Sequence, residues 1–254
     1  MHKKNQSTHS ETKQNQWFSI WFNTPFYHLL YNNRDHNEAE AFIIKLLHFL
    51  NPTPKSKVLD LACGAGRHSI TLNKYGLDVI GIDLAEKSIQ EAKFNENNTL
   101  HFAVQDMRTV LKIEYFDYIF NLFTSFGYFE TKADDMKVLL ACNNQLKPGG
   151  IMILDYFNSS KIIPLLPYKG IEKREGINFH IHKKLEDGLI IKSIQFNVDN
   201  QDYAFEERVA AYSFDDFKGM FAEAGFTINK IFGNYELENY THQSDRVIII
   251  AVKN

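Results

Sequence analysis

The chain has 254 residues, of which 44% are apolar, and a formal net charge of -3. This length and composition allow one substantial hydrophobic core, or one core with a small insertion. The charge balance argues against a protein that follows a nucleic-acid backbone, because such proteins usually present a basic face. With two cysteines in the whole sequence, a disulfide-stapled secreted domain is not expected.

The first sixteen residues, 1–16, are polar and contain no apolar run. They predict a disordered tail and not a secretory signal peptide. The longest late apolar run, Val247 to Val252, is too short to cross a bilayer. We therefore predict a cytoplasmic protein with no membrane segment, either a monomer or a homodimer.

Helical spacing of apolar residues begins before residue 50. Between Glu38 and Leu50 the apolar side chains recur three and four positions apart, which predicts an amphipathic helix. Pro52 and Pro54 end it. Residues 17–50 are therefore predicted to be helical.

Short apolar runs then alternate with helical segments, which favours a doubly wound α/β fold with a mainly parallel sheet. The predicted strands are Lys57–Leu61, Asp78–Ile82, Leu100–Val104, Phe116–Leu122 and Ile151–Tyr156. The predicted helices are a segment ending near Tyr75, then Ala85–Asn95 and Ala133–Leu146.

The rhythm changes after Pro167, where β-like runs are separated by turn residues. Residues 169–212 therefore predict an antiparallel β insertion within one domain, whose core is formed by residues 51–168 and 213–254. The runs of the insertion are Asn178–Leu185, Leu189–Val198 and Tyr203–Tyr212. A helix over Asp215–Ala224 and strands Thr227–Phe232 and Arg246–Val252 complete the core.

A glycine-rich turn follows the first predicted strand and leads directly into a helix. Asp60 ends the strand region, and Gly64 and Gly66 allow the backbone to approach a ligand closely. Dinucleotide-binding sites share such turns. Here, however, an acid stands four positions before the first glycine, and Ser69 occupies the place of the third fingerprint glycine.

The next two strands also end in acids. Asp83, nineteen residues after Gly64, can accept hydrogen bonds from both ribose hydroxyls of a nucleoside, or can cap the following helix. Asp106 can accept from an adenine amino group while Met107 covers the ring, or can be an ordinary loop acid. The three elements together favour a nucleoside cofactor.

The order Asp60, Gly64-Ala65-Gly66, Asp83, Asp106-Met107 and then Leu146-Lys147-Pro148-Gly149-Gly150 resembles class I S-adenosylmethionine-dependent methyltransferases. The resemblance implies a Rossmann-like seven-stranded sheet with an antiparallel last strand, S-adenosylmethionine as cofactor and S-adenosylhomocysteine as product. The glycines would approach the methionine part, Asp83 the ribose, and Asp106 with Met107 the adenine. The further cofactor contacts expected on this basis are Ala62, Leu84, Gln105 and Asn121.

The same resemblance gives the N-terminal helices a role as a lid. Tyr27 and Arg34 would close over the cofactor, with Arg34 pairing its carboxylate. The alternative is an ordinary surface helix end.

The segment after the fourth strand should face the reactive methyl group. It lacks the paired prolines typical of enzymes that methylate nucleic-acid bases or protein glutamine, whereas Ser125-Phe126-Gly127-Tyr128 resembles N-methyltransferases acting on glycine or on nucleotide-linked amino sugars. Those enzymes also carry a β insertion. The candidate acceptor-pocket residues are Phe123, Ser125, Tyr128, Tyr156, Arg208 and Tyr212.

No catalytic residue and no metal cluster emerge from the histidine, cysteine and carboxylate spacings. An in-line methyl transfer can depend mainly on positioning, so its catalytic residues leave weak sequence signals. We predict transfer to a nitrogen or oxygen of a small molecule, with nitrogen preferred. The alternatives are an RNA- or protein-directed methyltransferase, an NAD-dependent oxidoreductase, and a non-catalytic nucleoside-binding module.

Overall fold

The computed structural model describes residues 20–22, 24–31 and 36–254, and the predicted disordered tail lies outside these ranges. A seven-stranded sheet with helices on both faces forms the main unit, and a four-stranded antiparallel sheet is inserted after its fifth strand. Among the described residues, no helix is both long enough and apolar enough to span a membrane.

The strands and helices are numbered in chain order. The strands are β1 (Lys57–Leu61), β2 (Asp78–Asp83), β3 (Leu100–Val104), β4 (Phe116–Asn121), β5 (Leu146–Phe157), β6 (Tyr168–Arg174), β7 (Ile177–Glu186), β8 (Leu189–Val198), β9 (Gln201–Ala210), β10 (Phe226–Phe232) and β11 (Arg246–Lys253). The α-helices are α1 (Pro25–Tyr31), α2 (His36–Leu50), α3 (Arg67–Lys74), α4 (Glu86–Ala92), α5 (Lys132–Gln145), α6 (Ser159–Ile162) and α7 (Phe214–Glu223).

The main sheet has the strand order β10-β11-β5-β4-β1-β2-β3. Strands β1 to β5 are parallel to their neighbours among themselves, whereas β11 runs antiparallel to both β5 and β10. The predicted Rossmann-like sheet with an antiparallel last strand is therefore confirmed. Because the chain reverses its direction of winding between β1 and β4, a crevice is expected at the carboxyl ends of these two strands.

Two apolar layers sandwich the sheet, as expected for a mainly parallel sheet covered on both faces. One layer includes Leu139 of α5 and Phe217 and Phe221 of α7, all fully buried. The other includes Phe42 of α2 and Leu72 of α3. The strands between them are apolar on both faces, which explains their continuous hydrophobic runs.

Local signals in the sequence fix the ends of two helices. Thr131 precedes α5, and its side chain accepts a hydrogen bond from the backbone N–H of Asp134. Ser213 and Asp216 form a reciprocal capping box at the start of α7. Gly225, with φ 82°, follows the end of α7, in the left-handed conformation that glycine adopts without strain.

The predicted helical lid, residues 17–50, divides into two parts. Helix α2 packs against the main sheet through Phe42, Ile43 and Leu46, so residues 36–50 belong to the core layer. Trp21 and Leu30 instead pack on the inserted sheet. Helix α2 thus belongs to the core, because its apolar face packs on the sheet. A lid role for the segment before α2 stays a prediction.

The inserted sheet contains four strands in the order β6-β7-β8-β9, one more than the sequence predicted. The additional strand is β6, an edge strand whose residues are mostly exposed. Its composition lacks the clear apolar alternation that marks a half-buried strand, and it was therefore missed. The inner face of the sheet carries Phe179, Ile181, Ile194 and Phe196, which form a small core of their own.

Ile153 in β5 is fully buried, whereas Ile113 in the loop before β4 is 76% exposed. We expect Ile153→Ala to lower the free energy of unfolding by about 2–5 kcal/mol, because the substitution leaves a cavity between packed layers. Ile113→Ala is the matched control and should change it by less than about 0.5 kcal/mol. Urea denaturation measures both; equal losses would contradict this assignment of the core.

Candidate active site

The turn after β1 is shaped by a buried acid and a glycine with no room for a side chain. Asp60 is 1% exposed and accepts a hydrogen bond from the Ser69 hydroxyl at 2.6 Å. Burial raises the pKa of Asp60 to about 7. Gly66 has φ 83°, and a Cβ there would lie 2.6 Å from the ring of Phe102. Gly64, with φ 56°, has open space beside it instead, so a ligand can approach its backbone.

Asp83 ends β2 directly beside this turn. Its two carboxylate oxygens accept hydrogen bonds from the backbone N–H groups of Gly64 and Ala85, both at 2.8 Å. Burial raises the pKa of the Asp83 carboxyl. Each carboxylate oxygen has a second lone pair, so the fixed side chain can still accept from a ligand. The bond to Ala85 closes a turn before α4, whose N-cap Ala85 has no side-chain cap, so Asp83 does not cap that helix.

Of the residues that follow β3, some line the cavity and others form an ion pair outside it. Gln105 and Met107 line the cavity described below. The Asp106 carboxylate is instead held by Arg108, with Nη2 at 2.6 Å, and does not contribute to the lining. Arg108 in turn lies over the ring of Phe129, 4.2 Å from its centroid. A role for Asp106 at an adenine ring stays a prediction, and it would require this pair to rearrange.

One cavity of about 840 Å³ extends from the glycine turn to the inserted sheet. Among its lining residues, those near the turn are Asp60, Ala62, Gly64, His68, Asp83, Leu84, Gln105 and Met107. Those from the other walls include Tyr27, Tyr31, Phe123, Ser125, Tyr128, Phe157, Lys183, Lys192, Glu207 and Arg246. Predicted cofactor and acceptor residues thus meet in a single chamber.

The loop after β4 forms one wall in an unusual backbone conformation. Phe123 and Thr124 both have positive φ, at 56° and 60°, which is costly for residues other than glycine. The Asp155 carboxylate accepts from the Phe123 N–H at 2.8 Å, and the Asp155 carbonyl accepts from the Thr124 N–H at 3.0 Å. The predicted pocket residues Phe123, Ser125 and Tyr128 all line the cavity.

Two predicted acceptor residues face away from the cavity. Tyr156 is fully buried, and its hydroxyl donates to the carbonyl of Ala210, so it fastens the insertion to β5. Arg208 pairs with Glu206 on the outer face of β9. Because side chains alternate along a strand, Arg208 and the cavity-lining Glu207 must point in opposite directions. Neither Tyr156 nor Arg208 lines the cavity, so the structure does not support their predicted contact with an acceptor.

Tyr212 and Asn121 also lie outside the lining. The Tyr212 hydroxyl donates to Asp135 at 2.8 Å, and burial raises the pKa of Asp135 to about 6. Tyr212 thus connects the end of the insertion to α5, and its predicted contact with an acceptor is not supported. Asn121 is fully buried in β4 and points to the carbonyl of Leu61 at 3.5 Å, within the sheet. A direct cofactor contact by its side chain is not supported.

A polar cluster that the sequence analysis missed joins the N-terminal segment to the insertion. Glu207 accepts from Trp21 Nε1 at 2.7 Å and from the Tyr31 hydroxyl at 2.6 Å. Lys192 donates to the Tyr31 hydroxyl at 2.7 Å, and its Nζ lies 3.9 Å from Glu207. Lys192 and Glu207 are directly paired across β8 and β9. In the sequence, this cluster could have been recognised from Lys192 and Glu207, two charged residues at inward-facing positions of predicted strands that are otherwise apolar there.

The predicted lid residues have different outcomes. Tyr27 lines the cavity and packs edge-on against Trp21, with ring centroids 5.7 Å apart. Arg34 lies outside the described residues. Its predicted pairing with the cofactor carboxylate, and closure of the lid, stay predictions.

His68 supplies an observation on whether the cavity suits a polar ligand. It stacks on Phe123 with ring centroids 4.9 Å apart, and its buried Nε2 has no hydrogen-bond partner. Burial lowers the pKa of His68 to about 3, so the ring is neutral. An orphaned buried nitrogen beside a glycine cradle, with two carboxylates adjacent, fits an amino-acid and nucleoside ligand such as S-adenosylmethionine. No cluster of three or more potential metal ligands occurs among the described residues.

Comparison with known proteins identifies the family of the chain. Residues 52–215 match a family profile described as a methyltransferase domain. The chain is 27% identical over 212 residues to YqeM of Bacillus subtilis, a candidate methyltransferase, covering 79% of this chain and 85% of that protein.

Solved structures share the fold. An S-adenosylmethionine-dependent methyltransferase from Clostridium acetobutylicum superposes with a TM-score of 0.77 at 21% identity, covering 90% of this chain and 96% of that one. S-adenosylmethionine-bound CalS10, an amino pentose methyltransferase from Micromonospora echinaspora, gives a TM-score of 0.68 at 19% identity, covering 91% and 98%. The chain belongs to the methyltransferase-domain family and is an S-adenosylmethionine-dependent methyltransferase.

Proposed function

We propose that the enzyme transfers the methyl group of S-adenosylmethionine to a nitrogen or oxygen of a small molecule. The observation that carries the proposal is the single cavity of about 840 Å³, with Gly64 and Asp83 at one end and Lys192 and Glu207 at the other. Small-molecule sites commonly enclose about 300–1,000 Å³. The volume lies near the upper end of this range, and cofactor and acceptor would share this one chamber.

The walls of this chamber favour a compact acceptor over a polymer. The Tyr31 hydroxyl of α1 bonds to Glu207 of β9, which bridges the N-terminal segment and the insertion across the cavity. A nucleic-acid duplex or a folded protein surface would need an open groove at this place. The net charge of -3 also offers no general attraction for RNA. These features support a small molecule over an RNA- or protein-directed reaction.

The proposed mechanism is an in-line displacement, for which the bound cofactor supplies an electrophilic methyl group on a sulfonium. The residues of the chain position the reactants and exclude water. Asp83 would hold the ribose, while Phe123, Tyr128 and Phe157 form apolar walls around the path of transfer. A displacement of this kind needs no covalent enzyme intermediate.

Glu207 is the group best placed to hold a proton on the acceptor side. An amine acceptor reaches the site largely protonated at neutral pH and must lose a proton before it can attack. The Glu207 carboxylate lines the cavity, and its hydrogen bonds from Trp21 and Tyr31 fix its position there. This arrangement supports nitrogen as the methylated atom. CalS10, which has the same fold, acts on an amino pentose.

The cofactor assignment is tested by calorimetric titration with S-adenosylmethionine, S-adenosylhomocysteine and NAD. We expect the first two to bind and Asp83→Ala to weaken both at least tenfold, because a charged hydrogen bond contributes about 1.5–3 kcal/mol. Asp78→Ala is the matched control, since Asp78 begins the same strand at the opposite edge and pairs with Lys57. Binding of NAD alone would overturn the assignment.

Asp60 gives an expected pH dependence. With its pKa raised to about 7 by burial, the ionised fraction of Asp60 rises from about one tenth at pH 6 to nine tenths at pH 8. The cationic sulfonium favours the ionised form, so affinity for S-adenosylmethionine should rise up to about tenfold over this range. Titrations at both pH values should show a smaller rise for S-adenosylhomocysteine, which lacks the sulfonium. Asp60→Asn should remove the difference between the two ligands; if it persists, another group is responsible.

The acceptor wall is tested with neighbouring residues on opposite faces of β9. Glu207→Gln should lower kcat/KM for an amine acceptor by about 10²–10⁴-fold, the scale expected when a proton acceptor is removed. Its affinity for S-adenosylhomocysteine should change less than threefold. Glu206→Gln, one residue away on the outer face, should leave both quantities nearly unchanged. The measurement is S-adenosylhomocysteine release across a panel of amines and hydroxy compounds; equal effects of the two substitutions would contradict the proposed role.

A further inference from the structure

Arg246 is a cation that the main sheet delivers to the acceptor end of the cavity. It begins β11 and pairs with Phe157 at the end of β5. Because β11 runs antiparallel to β5, its first residue lies at the same edge as the carboxyl ends of β4 and β5. Arg246 lines the cavity there, and 18% of its side chain is exposed.

The guanidinium group is held on one side by a fixed set of acceptors. Nε donates to Asp155 Oδ1 at 2.7 Å, and Nη2 lies 2.7 Å from the same oxygen. Nη2 also donates to the Thr124 hydroxyl at 3.0 Å. Asp155 is fully buried, and its Oδ2 is occupied by the Phe123 N–H and the Tyr235 hydroxyl. The plane of the guanidinium is therefore set by the protein before any ligand enters.

The third nitrogen, Nη1, is left for a ligand. Arginine carries five N–H donors, and within the described part of the chain the two on Nη1 have no acceptor. Nη1 is also not among the enclosed polar atoms that lack a partner. Arg246 contributes to the lining of the cavity, so a ligand there can reach an unpaired edge of its guanidinium.

The other acceptor-side cations are less suited to this role. Lys192 is already bonded to Tyr31 and lies close to Glu207. The Lys183 ammonium lies 5.5 Å from the ring centroid of Tyr168 in the edge strand of the insertion, at the end of a flexible stem. A donor with a preset orientation loses less freedom on binding than a flexible one.

We propose that Arg246 binds, through Nη1, an anionic oxygen of the acceptor. The acceptor would then combine a methylatable nitrogen or oxygen with a carboxylate or phosphate group, the two anions that guanidinium recognises best. This inference rests on the proposed small-molecule function and specifies its substrate class. The anion would fix one end of the acceptor beside Thr124, and so direct its other end along the cavity.

The test does not require the acceptor to be known. The complex of the full chain with S-adenosylhomocysteine is titrated separately with acetate and with inorganic phosphate, and the Nε–Hε resonances of the arginines are followed by ¹⁵N NMR. We expect a saturable shift of the Arg246 resonance with at least one of the two anions. Which anion binds more tightly distinguishes a carboxylate from a phosphate.

Substitutions then assign the binding. Arg246→Lys keeps a positive charge beside Asp155. Its single ammonium group cannot bind Asp155 and an anion in the cavity at the same time, so the anion affinity measured by calorimetry should fall at least tenfold. Arg208→Gln, outside the cavity on β9, removes a positive charge as a control and should change it less than twofold. Because Arg246→Gln would leave Asp155 buried and unpaired, the double variant Asp155→Asn/Arg246→Gln checks the result without a buried charge.

Binding of S-adenosylhomocysteine is measured on every variant, so failure of the cofactor site is distinguishable from failure of this inference. If the cofactor product binds and neither anion shifts Arg246, the inference is overturned. It is also overturned if Lys183→Met abolishes anion binding while Arg246→Lys retains it.

Discussion

The reversal of winding between β1 and β4 is the constraint on which the site depends. Parallel strands bring their carboxyl ends to one edge, and the loops that leave β1 and β4 turn to opposite faces of the sheet, so no backbone fills the space between them. The glycine turn, Asp83 and the Phe123–Thr124 loop all open onto this space. The antiparallel β11 adds Arg246 from the opposite chain direction, and the insertion and α1 cover the remaining side.

Buried carboxylates organise the two ends of the cavity in different ways. Asp60 and Asp83 are held mainly by a hydroxyl and by backbone N–H groups, so their negative charge remains available to a cationic ligand. Asp155 is instead neutralised by Arg246, and Glu207 lies near Lys192. Asp155 also holds the positive-φ residues Phe123 and Thr124, a conformation that costs about 1–3 kcal/mol per residue. The carboxylates near the glycine turn are thus held by neutral donors, whereas those at the other end of the cavity lie in or near ion pairs.

The sequence by itself determined the main sheet and the cofactor turn. Periodicity separated strands from helices, and the spacing of Asp60, Gly64 and Asp83 placed three elements at one edge, because neighbouring parallel strands must end together. These features are local or follow from topology. The secondary-structure prediction missed the exposed edge strand β6, where apolar periodicity is weak. It also assigned α2 to the lid, although the apolar face of this helix covers the core.

Only the tertiary structure decided which polar side chains of the insertion line the cavity. Glu207 lines the cavity and Arg208 does not, because successive residues of a strand point to opposite faces of the sheet. Tyr156 and Tyr212 were plausible pocket residues until their hydroxyls were found bonded to Ala210 and Asp135. Such pairings join residues far apart in the chain, and no local pattern encodes them. The sequence therefore determined the cofactor and the fold, and the packing of the insertion on the sheet decided which side chains form the far wall of the cavity.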